Sequence, residues 1–397
     1  MRIGIDASCW VNRRGYGRYT RELVNAMLDV DPSHEYILFL DAASAIEAQD
    51  LPSTSLAQLV TIRTGVSAAR AAAADGSRSL ADLWRMRAAV KAWNGRLDVL
   101  YFPADYSYFP VSTSAKVVVT KHDMIDRRVP ELLFPSWRSR LLWEAKVQLA
   151  MRRADLVFTV SETSRRDIMN AFAFGPQRVR VISDAVDPVF TPTANDARRA
   201  GVLARFGIAA DERFVLYVGG ISPHKNLITL VQAYRQWAQR DAGRHDVSLV
   251  LVGDYESDVF HSSYQSLKAV VDDAHLASRI RFAGFVPDAD LGDLYSAAEV
   301  LVLPSLYEGF GLPVLESMAC GTPVIASNAG ALPEVVGDAG VLFDPHRADQ
   351  LADALERVLS DEGLRTDLAR RGLRRAADFS WKASARAALA AFREIAP

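Results

Sequence analysis

The chain has 397 residues, half of them apolar and 24% charged, with a formal net charge of −2. That length exceeds one hydrophobic core and predicts two domains of nearly equal size. No apolar stretch approaches the ~20 residues that cross a bilayer, and no signal peptide is visible at Met1-Arg2-Ile3-Gly4-Ile5; Cys9 and Cys320 offer no metal-ligand spacing and fit a reducing cytoplasm, with Cys320 read as a small buried apolar residue. Along the chain, strand-like and helix-like segments alternate, which predicts an α/β fold of parallel sheets covered by helices on both faces. Strands are predicted near residues 2–7, 35–40, 57–62, 97–101, 116–120, 155–160 and 178–182, with helices near 17–29, 78–93, 136–153 and 162–172. Ser161 caps the last of these helices. The two prolines of Asp187-Pro188-Val189-Phe190-Thr191-Pro192 then interrupt the pattern and read as an interdomain linker. Beyond it strands are predicted at 213–219, 247–252, 279–283, 300–303, 323–326 and 340–343, and from about residue 346 the chain reads as wholly helical. The Ala71-Ala72-Ala73-Ala74-Asp75-Gly76 run is expected to be a mobile loop.

Charge is unevenly spread. Residues 1–190 carry 25 Lys and Arg against 21 Asp and Glu, and the remainder carries 21 against 27. In residues 127–153 the bases Arg127, Arg128, Arg138, Arg140, Lys146, Arg152 and Arg153 meet only Glu131 and Glu144, and Trp137, Leu141, Leu142 and Trp143 interleave with them. A second basic stretch, Arg85, Arg87, Lys91 and Arg96, carries Trp84 and Trp93. Such segments suit an anionic membrane surface if the aromatic residues are exposed, and an ordinary solvated helix face if they are buried. No nucleic-acid partner is expected.

The most informative segment is Ser305-Leu306-Tyr307-Glu308-Gly309-Phe310-Gly311-Leu312-Pro313-Val314-Leu315-Glu316. It follows the apolar run Val300-Leu301-Val302-Leu303, which reads as a buried parallel strand, and it opens a helix whose first position is assigned to Pro313. Glycines between strand and helix let backbone amides approach a ligand, and a helix N-terminus attracts phosphate. Glu308 and Glu316 flank that anion site. Phosphate alone disfavours acidic neighbours; a ligand with phosphate at its centre and hydroxyl-rich sugars at both ends accepts them. That ligand is a nucleotide sugar.

This Glu308-to-Glu316 motif, followed by Met318-Ala319-Cys320-Gly321-Thr322-Pro323-Val324, resembles the donor-site signature of the retaining glycosyltransferases of family four. The resemblance implies the GT-B architecture: two facing Rossmann-like domains with parallel sheets, a cleft between them, and a C-terminal helix that crosses back to the N-terminal domain. It places an N-terminal acceptor-binding domain at 1–187, a nucleotide-sugar-binding domain at 193–375 and the returning helix at 376–397.

Further residues acquire roles through the same resemblance. The segment Tyr217-Val218-Gly219-Gly220-Ile221-Ser222-Pro223-His224-Lys225-Asn226 is the first strand-to-helix crossing of the second domain, and α/β sheets bind ligands at such carboxyl ends. The family gives Lys225 to the donor phosphates, with Gly219 and Gly220 permitting close approach. Many relatives carry an Arg where this chain has Gly220 or His224, so either His224 substitutes in part or an Arg enters from elsewhere. In the first domain the family lays the loop Gly15-Tyr16-Gly17-Arg18 over the donor phosphates, making Gly15, Gly17 and Arg18 donor-site candidates. A dinucleotide-binding reading of that loop lacks its third glycine. His122, at the end of Val117-Val118-Val119-Thr120, is carried over as a contact to the transferred sugar; its neighbour Asp123 points to the opposite face and makes no dyad with it. Ser327-Asn328-Ala329-Gly330 and Pro333-Glu334 mark the next strand end near the donor.

The resulting expectation is a retaining, metal-independent glycosyltransferase without cofactor, acting from GDP-mannose or a UDP-sugar on a glycan or lipid-linked acceptor in surface polysaccharide biosynthesis. Lys225 and the amides near Gly311 and Leu312 stabilise the diphosphate, with Gly309 and Phe310 also counted as donor-binding residues. Glu316 holds the ribose, and Glu308 and His122 contact the sugar. Trp84, Trp137, Arg138, Arg140 and Trp143 are expected to dock the enzyme on the inner face of the cytoplasmic membrane. The rival expectations are a nucleotide-sugar epimerase and a non-catalytic nucleotide-sugar-binding protein.

Overall fold

The computed structural model describes residues 1–12, 15–48, 50–53, 55–65, 79–240, 246–254, 264–273 and 276–396. The Ala71–Gly76 loop lies outside these residues, as does Arg14. The described chain forms two compact units. Unit 1 is Met1–Met124, Phe134–Asp184 and Ser380–Pro397; unit 2 is Ile125–Leu133 and Ala185–Phe379.

Unit 1 is built on β1 (Arg2–Asp6), β2 (Glu35–Asp41), β3 (Ala57–Ile62), β4 (Val99–Phe102), β5 (Lys116–Thr120), β6 (Leu156–Thr159) and β7 (Val179–Val181). They pair in the order β3-β2-β1-β4-β5-β6-β7, every pairing parallel. The central strands are apolar on both faces, as helices on both sides require: Val99–Phe102 and Leu156–Thr159 are buried throughout, whereas edge strand β3 is buried only at its ends, Ala57 and Ile62. Helix Gly15–Val30 follows β1 and packs along the C-terminal helix Trp381–Ile395. That helix seats Phe392 flat on Phe158 at 5.4 Å and Trp381 edge-on to Tyr19, and Ser384 Oγ donates to the Ser183 carbonyl at 2.7 Å. Ser161 caps helix Glu162–Phe172 by accepting from the Ser164 amide at 3.1 Å.

Unit 2 contains β8 (Arg213–Val218), β9 (Val247–Val252), β10 (Ile280–Gly284), β11 (Val300–Leu303), β12 (Val324–Ser327) and β13 (Val341–Phe343), ordered β10-β9-β8-β11-β12-β13 and again wholly parallel. Helices Ala348–Ser360 and Glu362–Ala377 close it.

Three boundaries differ from those expected. The first unit ends at Asp184, three residues before the Asp187 boundary drawn from the prolines. The Asp187–Pro192 segment is no loose linker: Phe190 is fully buried with its ring edge-on to Tyr295 at 5.8 Å, which anchors the segment to unit 2. Ile125–Leu133, expected within the first domain, groups with unit 2 because Pro130–Leu133 packs on the Pro223–Lys225 turn. The returning segment starts at Ser380 instead of residue 376, because helix Glu362–Ala377 stays packed on helix Leu312–Ala319.

Candidate active site

In each sheet the strand order reverses once, and ligand crevices of open α/β sheets form outside the carboxyl ends of the strands at that point. In unit 2 the reversal lies between β8 and β11. The two loops leaving these strands are the Gly219–Asn226 segment and the Pro304–Gly311 segment. They are joined by their backbones, with the Leu306 amide donating to the His224 carbonyl at 2.8 Å. Lys225 Nζ donates to Glu308 Oε1 at 2.6 Å, and Ser305 Oγ donates to the same oxygen at 2.6 Å. Burial by itself raises a carboxyl pKa; here the Lys225 ammonium, His224 and the hydrogen bonds from Lys225 and Ser305 outweigh it and hold Glu308 below its ordinary value. Glu308 is therefore a carboxylate at neutral pH, and Lys225 is its counter-ion.

The backbone of Glu308 is gripped as well. Ala331 donates to its carbonyl at 2.9 Å, and Gly330 approaches so closely that a Cβ there would sit 2.4 Å from the Glu308 carbonyl oxygen. Helix Leu312–Ala319 then begins with Gly311 as its N-cap, at φ 101°, so Pro313 occupies the second helical position and not the first. Its missing N–H is still one of those a first turn leaves without an intrahelical partner. Phe310, named as a donor-site residue, turns its ring into unit 2 edge-on to Phe379 at 5.5 Å, which leaves its backbone as the part next to the loop.

Glu316 departs from the picture of two carboxylates facing one ligand. It is only 2% exposed, and Tyr295 Oη donates to its Oε2 at 2.7 Å. Gly219 and Gly220 lie at the carboxyl end of β8, where the Gly219 amide donates to Val252 and the Gly220 carbonyl accepts from Tyr217 Oη at 2.7 Å. His224 Nδ1 lies 3.2 Å from Ser222 Oγ. Tyr295, Asn226 and the close approach of Gly330 to Glu308 were invisible as site features, since each depends on a partner many residues away; Ser305 lies inside the motif, three residues before Glu308, with no role assigned to it there. Pro130–Leu133 packs on the Pro223–Lys225 turn, a contact that no local pattern announces.

In unit 1 the reversal lies between β1 and β4. Gly17 is required by close approach: a Cβ would fall 1.8 Å from the Asn12 carbonyl oxygen. This places Tyr16 and Tyr19, on the first turns of helix Gly15–Val30, edge-on to the His122 ring at 4.7 Å each. Gly15 is exposed and Arg18 half-buried beside them. His122, at the end of β5, is 8% exposed, and its Nε2 lies 2.9 Å from the Pro103 carbonyl at the end of β4. A carbonyl only accepts, so Nε2 carries the proton. Burial pushes the imidazole pKa down to about 4, so the ring is neutral at pH 7. Its orienting partner is thus Pro103 and not Asp123. Beside it, Lys121 and Asp105 form a buried ion pair at 3.0 Å.

The surface aromatic residues divide. Trp137 and Trp84 are 70% and 71% exposed, and Leu141, Leu142 and Leu149 are exposed too. On helix Trp137–Arg153 the residues Trp143, Val147, Ala150 and Met151 form the stripe that meets the core. Trp137, Leu141, Leu142 and Leu149 lie on the opposite side with Arg138 and Arg152. Trp143, expected among the docking residues, is partly buried against the core, and so is Trp93 of the second basic stretch. Among the described residues no helix is long and apolar enough to cross a membrane.

Two doubly wound parallel sheets, one with a Lys-carboxylate pair beside a helix N-terminus at its switch point, define a protein of the Rossmann type. The family described as Glycosyl transferases group 1 matches residues 203–375, and Glycosyltransferase Family 4 matches residues 13–190. The chain is 31% identical over 267 residues to the O-antigen chain mannosyltransferase B of Escherichia coli, covering 67% of each protein. It is 34% identical over 252 residues to the D-inositol 3-phosphate glycosyltransferase of Salinispora arenicola, covering 62% of this chain and 56% of that relative. The serotype-specific mannosyltransferase WbdA of Escherichia coli matches at 30% identity, and there the aligned part spans 34% of the relative's length. Among solved structures, the sucrose-phosphate synthase of Thermosynechococcus elongatus superposes with a TM-score of 0.75 at 23% identity, covering 99% of this chain and 98% of the other. The HepE protein of Anabaena superposes with a TM-score of 0.71 at 21% identity, covering 97% of each. The chain belongs to the group 1, family 4 glycosyltransferases, and its fold is GT-B.

Proposed function

We propose that the protein transfers a sugar, with retention of configuration and without a metal ion, from GDP-mannose or a UDP-sugar to a glycan or lipid-linked acceptor in the cytoplasm. The observation that carries this reading is the Lys225–Glu308 pair at the β8–β11 switch point, next to the Gly311 helix start. A diphosphate entering there offers Lys225 a second anion, and the Gly311 and Leu312 amides add the positive end of the helix. Charge that develops on the leaving diphosphate meets donors fixed in advance, which is where electrostatic catalysis is largest. Glu308, ionised and backed by Ser305, serves as acceptor for sugar hydroxyls. Glu316 is proposed for the ribose and His122, neutral, for a sugar hydroxyl. Front-face attack is the reading adopted for retention. Relatives named as mannosyltransferases support sugar transfer in polysaccharide assembly.

Product analysis tests this. The purified protein is given GDP-mannose or a UDP-sugar, with and without oligosaccharide acceptors, in the presence of EDTA. Acceptor-dependent transfer with the anomeric configuration kept is expected. Epimerised or hydrolysed donor without acceptor would make it an epimerase, binding without turnover would make it a scaffold, and activity abolished by EDTA and restored by magnesium would refute the metal-free reading.

A membrane role rests on a separate observation: Trp137, Leu141, Leu142 and Leu149 with Arg138 and Arg152 on one face of a helix, and Trp84 with Arg87 and Lys91 on another helix. Apolar side chains with interleaved bases fit an anionic bilayer surface, each base contributing ~1 kcal/mol. Sedimentation with anionic and with neutral liposomes, at low and high salt, tests it; failure to bind either kind would leave the protein off the membrane.

A further inference from the structure

Asn226 does not behave as its position in the chain suggests. It ends the Pro223–Lys225 turn and caps helix Leu227–Gln239, a place where an Asn side chain ordinarily accepts from an amide two or three residues on. Here it makes no such cap bond. Its amide nitrogen donates instead to the Pro304 carbonyl at 3.1 Å and to the Pro345 carbonyl at 2.8 Å, 78 and 119 residues away in the chain. Its Oδ1 accepts from Thr229 Oγ1 at 2.8 Å. The amide is therefore saturated, both hydrogens by distant backbone. The backbone is special too: φ 59° and ψ 36° are left-handed, a region that Asn tolerates better than most residues.

Pro304 is the first residue after β11 and opens the loop that carries Ser305 and Glu308. Asn226 directly follows Lys225. One side chain thus ties the loop bearing the cation to the loop bearing its carboxylate, and the Leu306-to-His224 backbone bond closes the same seam. We propose that Asn226 is a positioning residue: it holds the Lys225 turn in register with the Glu308 loop, so that the ammonium stands where donor phosphate arrives. The idea rests on the reading of Lys225 as the phosphate cation. Without the clamp, the turn loses its side-chain bonds to Pro304 and to Pro345 and is held to the Glu308 loop by the Leu306-to-His224 backbone bond alone, and a long flexible lysine is free to adopt several geometries at an entropic cost to each contact.

Two substitutions separate the parts. Asn226→Gly keeps the left-handed backbone and removes the side-chain bonds. Asn226→Asp keeps the shape and the Thr229 contact but presents a carboxylate to two carbonyls. Affinities for GDP and guanosine, and for UDP and uridine, are measured by calorimetry or NMR titration in the parent and in a Lys225→Ala background, with thermal melts to confirm folding. Asn226→Gly is expected to weaken the diphosphate that binds by tenfold or more and to leave the matching nucleoside within twofold, with Asn226→Asp weakening the diphosphate further. In the Lys225→Ala background Asn226→Gly should cost less than twofold, since the residue it positions is gone. Equal losses in both backgrounds, or equal losses for nucleoside and diphosphate, would overturn the proposal. If Lys225→Ala leaves diphosphate affinity unchanged, the phosphate reading of Lys225 fails and takes the proposal with it. Loss from Lys225→Ala with none from Asn226→Gly sinks the positioning role only. Should Asn226→Gly not fold, Asn226→Asp in the two backgrounds gives the same comparison.

Discussion

Replacing Lys225 by alanine removes the cation of a charge pair that links the two switch-point loops of unit 2. Two consequences follow from the geometry. The first concerns rate. Lys225 Nζ stands 2.6 Å from Glu308 Oε1 with both side chains mostly buried, so it acts in a medium where one transition-state contact is worth ~2.7–4 kcal/mol. Turnover should fall by ~10²-fold or more. The second concerns pH. Glu308 is held below its ordinary pKa against a burial effect of opposite sign, with Lys225 the largest of the lowering influences. With Lys225 gone, burial is opposed only by His224 and Ser305, and the Glu308 pKa rises. The acid limb of the rate profile should therefore move to higher pH in Lys225→Ala, and less so in Lys225→Arg, which keeps the charge. Steady-state rates across pH 4–9, with melting curves at each pH, provide the assay. A loss below tenfold with an unmoved acid limb would refute the reasoning; the phosphate cation would then be sought at His224, Arg18, Arg127, Arg128 or Arg14.

Other outcomes follow from the same geometry. Glu308→Gln should spare nucleoside diphosphate affinity while depressing turnover, as read by titration beside initial rates, and equal loss of both would mean the loop had collapsed. Glu316→Ala should weaken the nucleoside diphosphate by ~1.5–3 kcal/mol, the worth of a hydrogen bond to a charged group; unchanged affinity with a lowered melting point would make Glu316 a buried structural carboxylate tied to Tyr295. His122 gives a pH dependence of stability: its folded pKa of about 4 lies below the ordinary 6.5, so the unfolded chain binds the proton first. The stabilisation is complete above pH 6.5 and is lost as pH falls toward 4, by about 3 kcal/mol in total. Denaturant melts at pH 7 and pH 4.5 should show that slope in the parent and a flatter one in His122→Gln; identical slopes would mean the ring is not held neutral.

Much of this architecture was legible in the residues. Every predicted strand is present, from Arg2–Asp6 to Val341–Phe343, and the central ones, such as Val99–Phe102 and Val300–Leu303, are apolar throughout because strands buried on both faces of a parallel sheet need it. The loop-and-helix signature from Ser305 to Glu316 also lies where the motif put it, running from the loop after β11 into helix Leu312–Ala319. What failed concerned direction and company. The Asp187–Pro192 prolines looked like a linker, yet Phe190 is seated against Tyr295. Trp143 and Trp137 share a basic helix in the sequence, but only Trp137 faces outward.

By itself, then, the sequence determined which segments become strands, where glycines open a loop and which charges stand at strand ends, since periodicity and local backbone preference are short-range properties. Only tertiary structure decided that Lys225 and Glu308 neutralise one another, that Glu316 is turned inward to Tyr295, that His122 is kept neutral between Tyr16 and Tyr19, and that Asn226 joins two loops. Those are contacts between residues tens of positions apart. The Lys225–Glu308 and Asn226–Pro304 contacts exist because the parallel sheet brings the ends of β8 and β11 side by side, and no local pattern in the chain records which strands will be neighbours.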